Sequence, residues 1–309
     1  EEIQSRLAIE PVLRMHVLAL IASGFIKDIH SLYEFFKKTF YAYKYGDITA
    51  IEIRVERILE SLIEFGFIAR INEKLVPTRI GKRVSELYID PVTGYKFISR
   101  INPSNEIGYL QLISDTLEMR PLLSVKESDV RRIEEVLLKN HDKFLGEIPK
   151  EWEEEYEEFV QSVKTCLLFY DWINEENEDE LMSKFGVTPG ELRARLANAE
   201  WLCYALQELA LLLGKKEVLN DLRKLRIRLK HGIKEELIPL IKLKGVGRVR
   251  ARKLYSHNLR SLEDLRKVPI EVLQRIVGSS IAKSIKDQLG EEEFLEEKQS
   301  LISSFGSDE

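Results

Sequence analysis

Leu243-Lys244-Gly245-Val246-Gly247 runs straight into Arg248-Val249-Arg250-Ala251-Arg252-Lys253: two glycines, then four basic side chains within six positions. Glycine lets the backbone turn tightly and come close to a ligand. A helix starting just beyond it offers unpaired N–H groups and the positive end of its dipole. That combination suits a nucleic-acid phosphate, held through the backbone with no base read. Arg275-Ile276-Val277-Gly278-Ser279-Ser280-Ile281-Ala282-Lys283 is a degenerate second copy. A plain glycine C-cap between two helices is the competing explanation. The doubling and the arginines favour the phosphate seat, with Gly245, Gly247, Arg248, Arg250, Arg252 and Lys253 as contacts.

Charge agrees once it is read locally. The 309 residues carry a net −5, which alone argues against a nucleic-acid partner. Between Gly214 and Gly290, however, stand 20 lysines and arginines against 8 aspartates and glutamates, a net +12. The rest of the chain therefore carries −17. Screening over about 8–10 Å makes the local +12 the relevant quantity. Residues 221–234 form a basic helix leading into the glycine hairpin, and Arg226, Arg228 and Lys230 read as a phosphate track.

Other chemistries find no residues to perform them. Gly81-Lys82-Arg83 and Gly214-Lys215-Lys216 lack the loop and the hydroxyl of a nucleotide phosphate cradle. No Asp-Glu-x-His box occurs, and no carboxylate cluster with a nearby lysine suggests a nuclease. The five histidines are scattered, so no metal ligands, no cofactor and no catalytic residue are assigned. Two cysteines, Cys166 and Cys203, in apolar helical surroundings suggest no disulfide framework and a reducing compartment; with a DNA partner, the expected setting is cytoplasmic and nucleoid-associated. No apolar run reaches the roughly 18 residues of a membrane span, and no signal peptide is recognised. The chain opens at Glu1 inside an amphipathic pattern, without a methionine, as a piece of something longer would.

The elements that must position these residues are mostly helices. Helical periodicity covers Val12–Ala22, Ser31–Phe40 and Ile51–Phe65, where Val55, Ile58, Leu59, Leu62 and Ile63 make one apolar stripe. Gly66 stops that helix. Phe67–Ile71 and Leu75–Thr78 read as short strands about an Asn72-Glu73 turn, and a helix from about Arg79 to Tyr88 follows. This order predicts a winged helix over 1–100. Glu52, Glu56, Glu60 and Glu64 on its third helix would repel phosphate, so the wing is expected to be structural. A helical bundle follows over 101–231, a helix-hairpin-helix domain over 232–290 and a flexible acidic tail over 291–309.

The longest bundle helix opens at Thr188-Pro189-Gly190-Glu191, a capping box with proline at the first position, and ends at Gly214. At 100° per residue, Leu192, Leu196, Ala199, Cys203, Leu206, Ala210 and Leu213 fall on one stripe. Trp201 lies opposite, among Ala194, Ala197 and Ala205, with Tyr204 and Glu208 nearby. An indole there is placed to stack on a base, a contact that tolerates any sequence. Wheel geometry alone leaves a buried bundle tryptophan slightly ahead.

Several stretches in order resemble one family. They are Thr78–Ile89 (Thr-Arg-Ile-Gly-Lys-Arg-Val-Ser-Glu-Leu-Tyr-Ile), Glu118-Met119-Arg120-Pro121-Leu122, Asp171-Trp172-Ile173, Ala199-Glu200-Trp201-Leu202 and the Gly245-Val246-Gly247 hairpin. Together they look like the archaeal superfamily-two DNA helicases of the Ski type, kin to metazoan helicase Q and the helicase half of polymerase theta. The resemblance implies a mainly α chain of winged helix with a small β-wing, helical "ratchet" bundle and helix-hairpin-helix domain. Two RecA-like motor domains would precede it. It implies ATP-driven 3′-to-5′ unwinding at forks and in recombination and repair, with ATP and magnesium held by the motor domains absent here. It also makes Trp201 the ratchet tryptophan, stacked on single-stranded DNA. The family's partner arginine would fall at Ala194, flanked by Arg193 and Arg195, of which Arg193 is preferred. A free-standing, non-enzymatic DNA-binding or recruitment protein is the alternative. Finally, Gln299, Ile302 and Phe305 resemble a sliding-clamp-binding peptide, with Gly306 where a second aromatic is usual.

Overall fold

The structure, a computed structural model, describes residues 9–39 and 48–290. Gln299, Ile302 and Phe305 lie outside the described residues. The fold is mainly helical, with a single two-stranded sheet among the described residues. The chain forms two compact units. One runs to Leu167 and takes in Gly190–Arg223, and the other holds Leu168–Pro189 and resumes at Lys224. This partition cuts across the bundle at 101–231.

The first unit opens with α1 (Glu10–Ala22), α2 (Ile29–Lys37) and α3 (Ile48–Glu64). Pro11 sits in the first turn of α1, which buries Leu13, Val17, Leu18 and Ile21. The Asp28 carboxylate caps α2 by accepting the Ser31 N–H at 2.8 Å. On α3, Val55, Ile58, Leu59 and Leu62 are buried, and Gly66 ends the turn at φ +73°. β1 (Ile68–Ile71) and β2 (Lys74–Pro77) pair antiparallel from Ile68↔Pro77 to Ile71↔Lys74 about Asn72. Ile68 and Leu75 face the core. The α3 glutamates are partly matched inside the module: Glu52 pairs with Lys37 at 3.1 Å, and Glu56 pairs with Arg70 at 3.4 Å.

Thr78 caps α4 (Arg79–Leu87), accepting the Gly81 N–H at 3.0 Å. Gly81 is obligatory, because a Cβ there would sit 2.0 Å from the Phe67 carbonyl oxygen. The helix ends at Tyr88, in the left-handed region at φ 63°. Next come α5 (Pro91–Arg100) and α6 (Glu106–Ser114). A buried polar node fixes the start of α5. Arg14 grips Asp90 with two hydrogen bonds of 3.0 and 3.2 Å, while Glu118 accepts from the Asp90 N–H and the Thr93 hydroxyl at 2.7 and 2.6 Å. Burial pushes the Glu118 carboxyl above its ordinary value.

The bundle continues through α7 (Glu127–Lys139), α8 (Glu155–Ile173), α9 (Glu178–Phe185), α10 (Pro189–Leu212) and α11 (Lys216–His231). α10 buries Leu192, Ala199, Leu202, Cys203, Leu206, Leu209 and Ala210, much as the wheel predicts. Ala205 departs from that wheel: it is fully buried rather than beside an open tryptophan face. Cys166 and Cys203 are buried thiols, donating to the Ile107 and Leu222 carbonyls at 3.6 Å each.

In the second unit, α12 (Ile238–Ile241), α13 (Arg248–Ser256), α14 (Leu262–Lys267), α15 (Ile270–Val277) and a last helix, α16, over 279–290 surround one apolar core. Leu240, Leu243, Val246, Leu254, Leu265, Leu273 and Ile285 fill it.

Candidate nucleic-acid interface

Val246 is buried between its two exposed glycines, so the hairpin backbone is pinned from beneath and bare above. Gly245 has φ +84°, and a Cβ there would lie 3.1 Å from Ile281 on α16. Gly247 starts α13 with no side-chain cap; its carbonyl accepts from the Ala251 N–H at 2.9 Å. The N–H groups before Ala251 have no acceptor within the helix, as at any helix start. Gly278, at φ +89°, repeats the device: its carbonyl accepts from the Ala282 N–H at 3.0 Å as α16 begins. Gln288 on α16 clips the first hairpin by its amide, accepting from the Lys244 N–H at 2.8 Å and donating to the Lys244 carbonyl at 3.2 Å. The degenerate copy is thus a second hairpin packed on the first. Gln288 escaped the sequence reading, since a lone glutamine in a helical pattern carries no signal.

The basic side chains divide by what they touch. Lys253 and Lys230 are exposed. Arg250 is exposed too, and donates to the Gly245 carbonyl at 2.9 Å, across its own hairpin. Arg226 is half-buried. Arg252 binds Glu175 through two hydrogen bonds of 2.7 and 2.6 Å and reaches Glu236 at 2.9 Å. The Glu175 and Glu236 contacts hold its guanidinium above its ordinary pKa, against the effect of burial. Arg248 lies over the Trp172 ring, 5.0 Å from its centroid, and donates to the Glu176 carbonyl. Its burial lowers its pKa. The expectation of a phosphate track needs correction at Arg228. That side chain lies on the inner face of α11, is 5% exposed and donates to the Ile233 carbonyl at 3.2 Å. Arg248 and Arg252 likewise spend their donors inside the unit. Trp172 anchors this corner: its Nε1–H donates to the Leu229 carbonyl at 2.7 Å, and a Cβ on Gly232, at φ +63°, would meet its ring at 2.6 Å.

In the first unit, Trp201 is half-buried, and its Nε1–H donates to the Leu87 carbonyl at 3.1 Å, where α4 ends. One turn on, Arg83 of α4 donates to Glu208 at 2.6 Å and to the Tyr204 hydroxyl at 3.2 Å. Toward the start of α10, Gly190, Arg193, Ala194 and Ala197 are exposed. Trp201 therefore closes an open, small-residue face of α10 whose other half is covered by the winged helix. Arg195 turns away and donates to the Met119 and Pro121 carbonyls at 3.3 and 2.7 Å.

Among the described residues, no group of three or more His, Cys, Asp or Glu could hold a metal ion, and no helix is long and apolar enough to cross a membrane. Fold and hairpins define a winged helix and helical bundle carrying a tandem helix-hairpin-helix. Residues 107–232 match the family described as archaeal helicase, domain 4, and residues 237–291 match the SAM-like helix-hairpin-helix tandem. The chain is 42% identical over 294 residues to the ATP-dependent DNA helicase Hel308 of Methanocaldococcus jannaschii, covering 94% of this chain and 23% of that protein. It is 37% identical over 300 residues to the Hel308 of Pyrococcus horikoshii (94% and 41%) and 37% identical over 309 residues to that of Thermococcus kodakarensis (97% and 27%). The chain is thus related to the archaeal Hel308 helicases in their C-terminal part, and spans well under half the length of each.

Proposed function

We propose that this chain is the DNA-gripping C-terminal portion of an ATP-dependent 3′-to-5′ DNA helicase acting at forks and in recombination and repair. The observation that carries the reading is the pair of glycine-led helix starts on one core, one of them flanked by exposed Arg250 and Lys253. These starts take successive phosphates through backbone N–H groups, without reading bases. Lys230 and Arg226 add charge nearby in sequence, whereas Arg228, Arg248 and Arg252 hold the frame. Trp201, its N–H fixed and its neighbours small, supplies a base-stacking surface, and exposed Arg193 serves as its cationic companion. ATP and magnesium belong to motor domains outside this chain, so the chain by itself is expected to show no DNA-stimulated ATPase activity.

Anisotropy titrations with single-stranded, duplex and forked DNA across a salt series test the reading. Affinity should fall on a log–log plot with a slope near −0.7 to −0.9 per phosphate contacted. A flat response, or dependence on one sequence, would overturn it. For the tail, the spacing of Gln299, Ile302 and Phe305 supports docking on an archaeal sliding clamp, with the aliphatic and aromatic side chains buried together. Calorimetry of a 295–309 peptide should give an affinity on the order of micromolar. Binding unchanged by Phe305→Ala, or no binding at all, removes that reading.

A further inference from the structure

Tyr88 immediately follows the Leu87 carbonyl that anchors Trp201. It is 75% exposed. Its φ of 63° is one that a bulky L-residue rarely adopts and that glycine adopts freely. Helix ends of this kind are ordinarily built with glycine. The ring does not repay that backbone conformation by packing. It stands at the rim of an apolar cleft of about 250 Å³ between α1 and α4, lined by Val12, Met15, His16, Ala19 and Ser85, and stays mostly in solvent. A large exposed aromatic therefore occupies a strained position next in the chain to the carbonyl that anchors the proposed stacking tryptophan.

We propose that Tyr88 is a second stacking surface for single-stranded DNA, contributed by the winged helix, so that a base on Trp201 has a neighbour on Tyr88. The proposal rests on the reading of Trp201 as a strand contact. It gives the winged helix a role in binding despite the glutamates of α3. Those glutamates belong to another helix, where Glu52 and Glu56 are matched by Lys37 and Arg70. Stacking on a phenol tolerates any base, so the contact adds grip and no sequence preference.

Tyr88→Gly separates function from folding, because glycine suits the left-handed backbone while removing the ring. In the full chain its thermal midpoint should hold or rise, while affinity for an oligo-dT strand falls about 5- to 150-fold, the range for losing one stacked base. Tyr88→Phe should bind like the original. Ultraviolet cross-linking to a strand carrying 5-iodouracil should place an adduct on the peptide containing Tyr88. Unchanged affinity in Tyr88→Gly, with no adduct there, overturns the proposal. Trp201→Ala then tells the two failures apart. If it weakens binding, the strand passes Trp201 and Tyr88 alone was misjudged. If it does not, the strand runs elsewhere and both readings fall.

Discussion

Arg252 and Trp201 are each held by neighbours, but in opposite senses. The Arg252 guanidinium is turned inward onto Glu175 and Glu236, and its charge is largely answered within its own unit. Trp201 gives up only its N–H, to the Leu87 carbonyl, and that single bond fixes the plane of a ring that stays half exposed. The charge counted along a sequence is therefore not the charge presented to a ligand. Of the hairpin's four basic side chains, two hold the fold and two face solvent. Trp201 is held otherwise: it has one anchor, with small exposed residues along the same face of its helix.

The largest effect should come from breaking the inward contacts. Arg252→Ala leaves Glu175, only 14% exposed in its side chain, without its cation. Removing one partner of a mostly buried pair should cost the hairpin unit about 2–4 kcal/mol, read as a lowered midpoint in chemical denaturation. If stability is unchanged and only DNA affinity drops, Arg252 belongs with the outward group. Acid should report on the same pair. Burial pushes the Glu175 carboxyl up, but Arg252 and the Lys234 N–H outweigh it and hold the group below its ordinary 4.5. A depressed carboxyl contributes stability that is complete above 4.5 and is lost as pH falls through the lower folded value. Glu175→Gln should remove that part of the acid transition.

Trp201→Ala should cost roughly 1–3 kcal/mol of single-strand affinity while the fold survives. Because stacking releases few ions, the salt slope should barely change. A collapse of the bundle instead would mark Trp201 as core. The outward charges should behave in the reverse way. Arg250→Ala and Lys253→Ala should each make the slope shallower by about 1, weakening all sequences alike. Salt titrations on the three variants thus sort ring from charge, and an unchanged slope in both charge variants would remove the hairpin from the interface.

Much of this was legible in the chain because it depends on local pattern. Gly66, the Asn72-Glu73 turn and the stripe of α3 announce the winged helix, and the Leu192–Ala210 stripe announces α10. The glycine doublet and its degenerate copy announce two hairpins. What stayed hidden depends on partners distant in sequence. Glu175 is 77 residues from Arg252, and Gln288 is 44 from Lys244. Nothing in a helical wheel says that Arg228 faces carbonyls or that Ala205 is enclosed. The strain at Tyr88 is invisible as well, since Leu-Tyr-Ile reads as an ordinary helix end until its φ is known.

The smallest effect separates two arginines that sequence leaves side by side. Arg193 and Arg195 flank the same alanine, but 200° of helical turn sends their side chains to different surroundings. Arg195 is half-buried, and burial lowers its pKa; its fork is committed to the Met119 and Pro121 carbonyls. Replacing it by alanine removes one part-buried and one exposed hydrogen bond and should cost about 1–2 kcal/mol of stability. Arg193 is exposed on the face that leads to Trp201. Arg193→Ala should leave the thermal midpoint in place and weaken single-strand binding by about 0.5–1 kcal/mol, the range for an exposed cation on a ring or phosphate. The loss should shrink when Trp201→Ala is already present, since two groups on one strand segment are coupled. Fully additive losses would mean that Arg193 meets the strand independently of the tryptophan. No loss at all would leave Trp201 as an aromatic contact without a cationic companion.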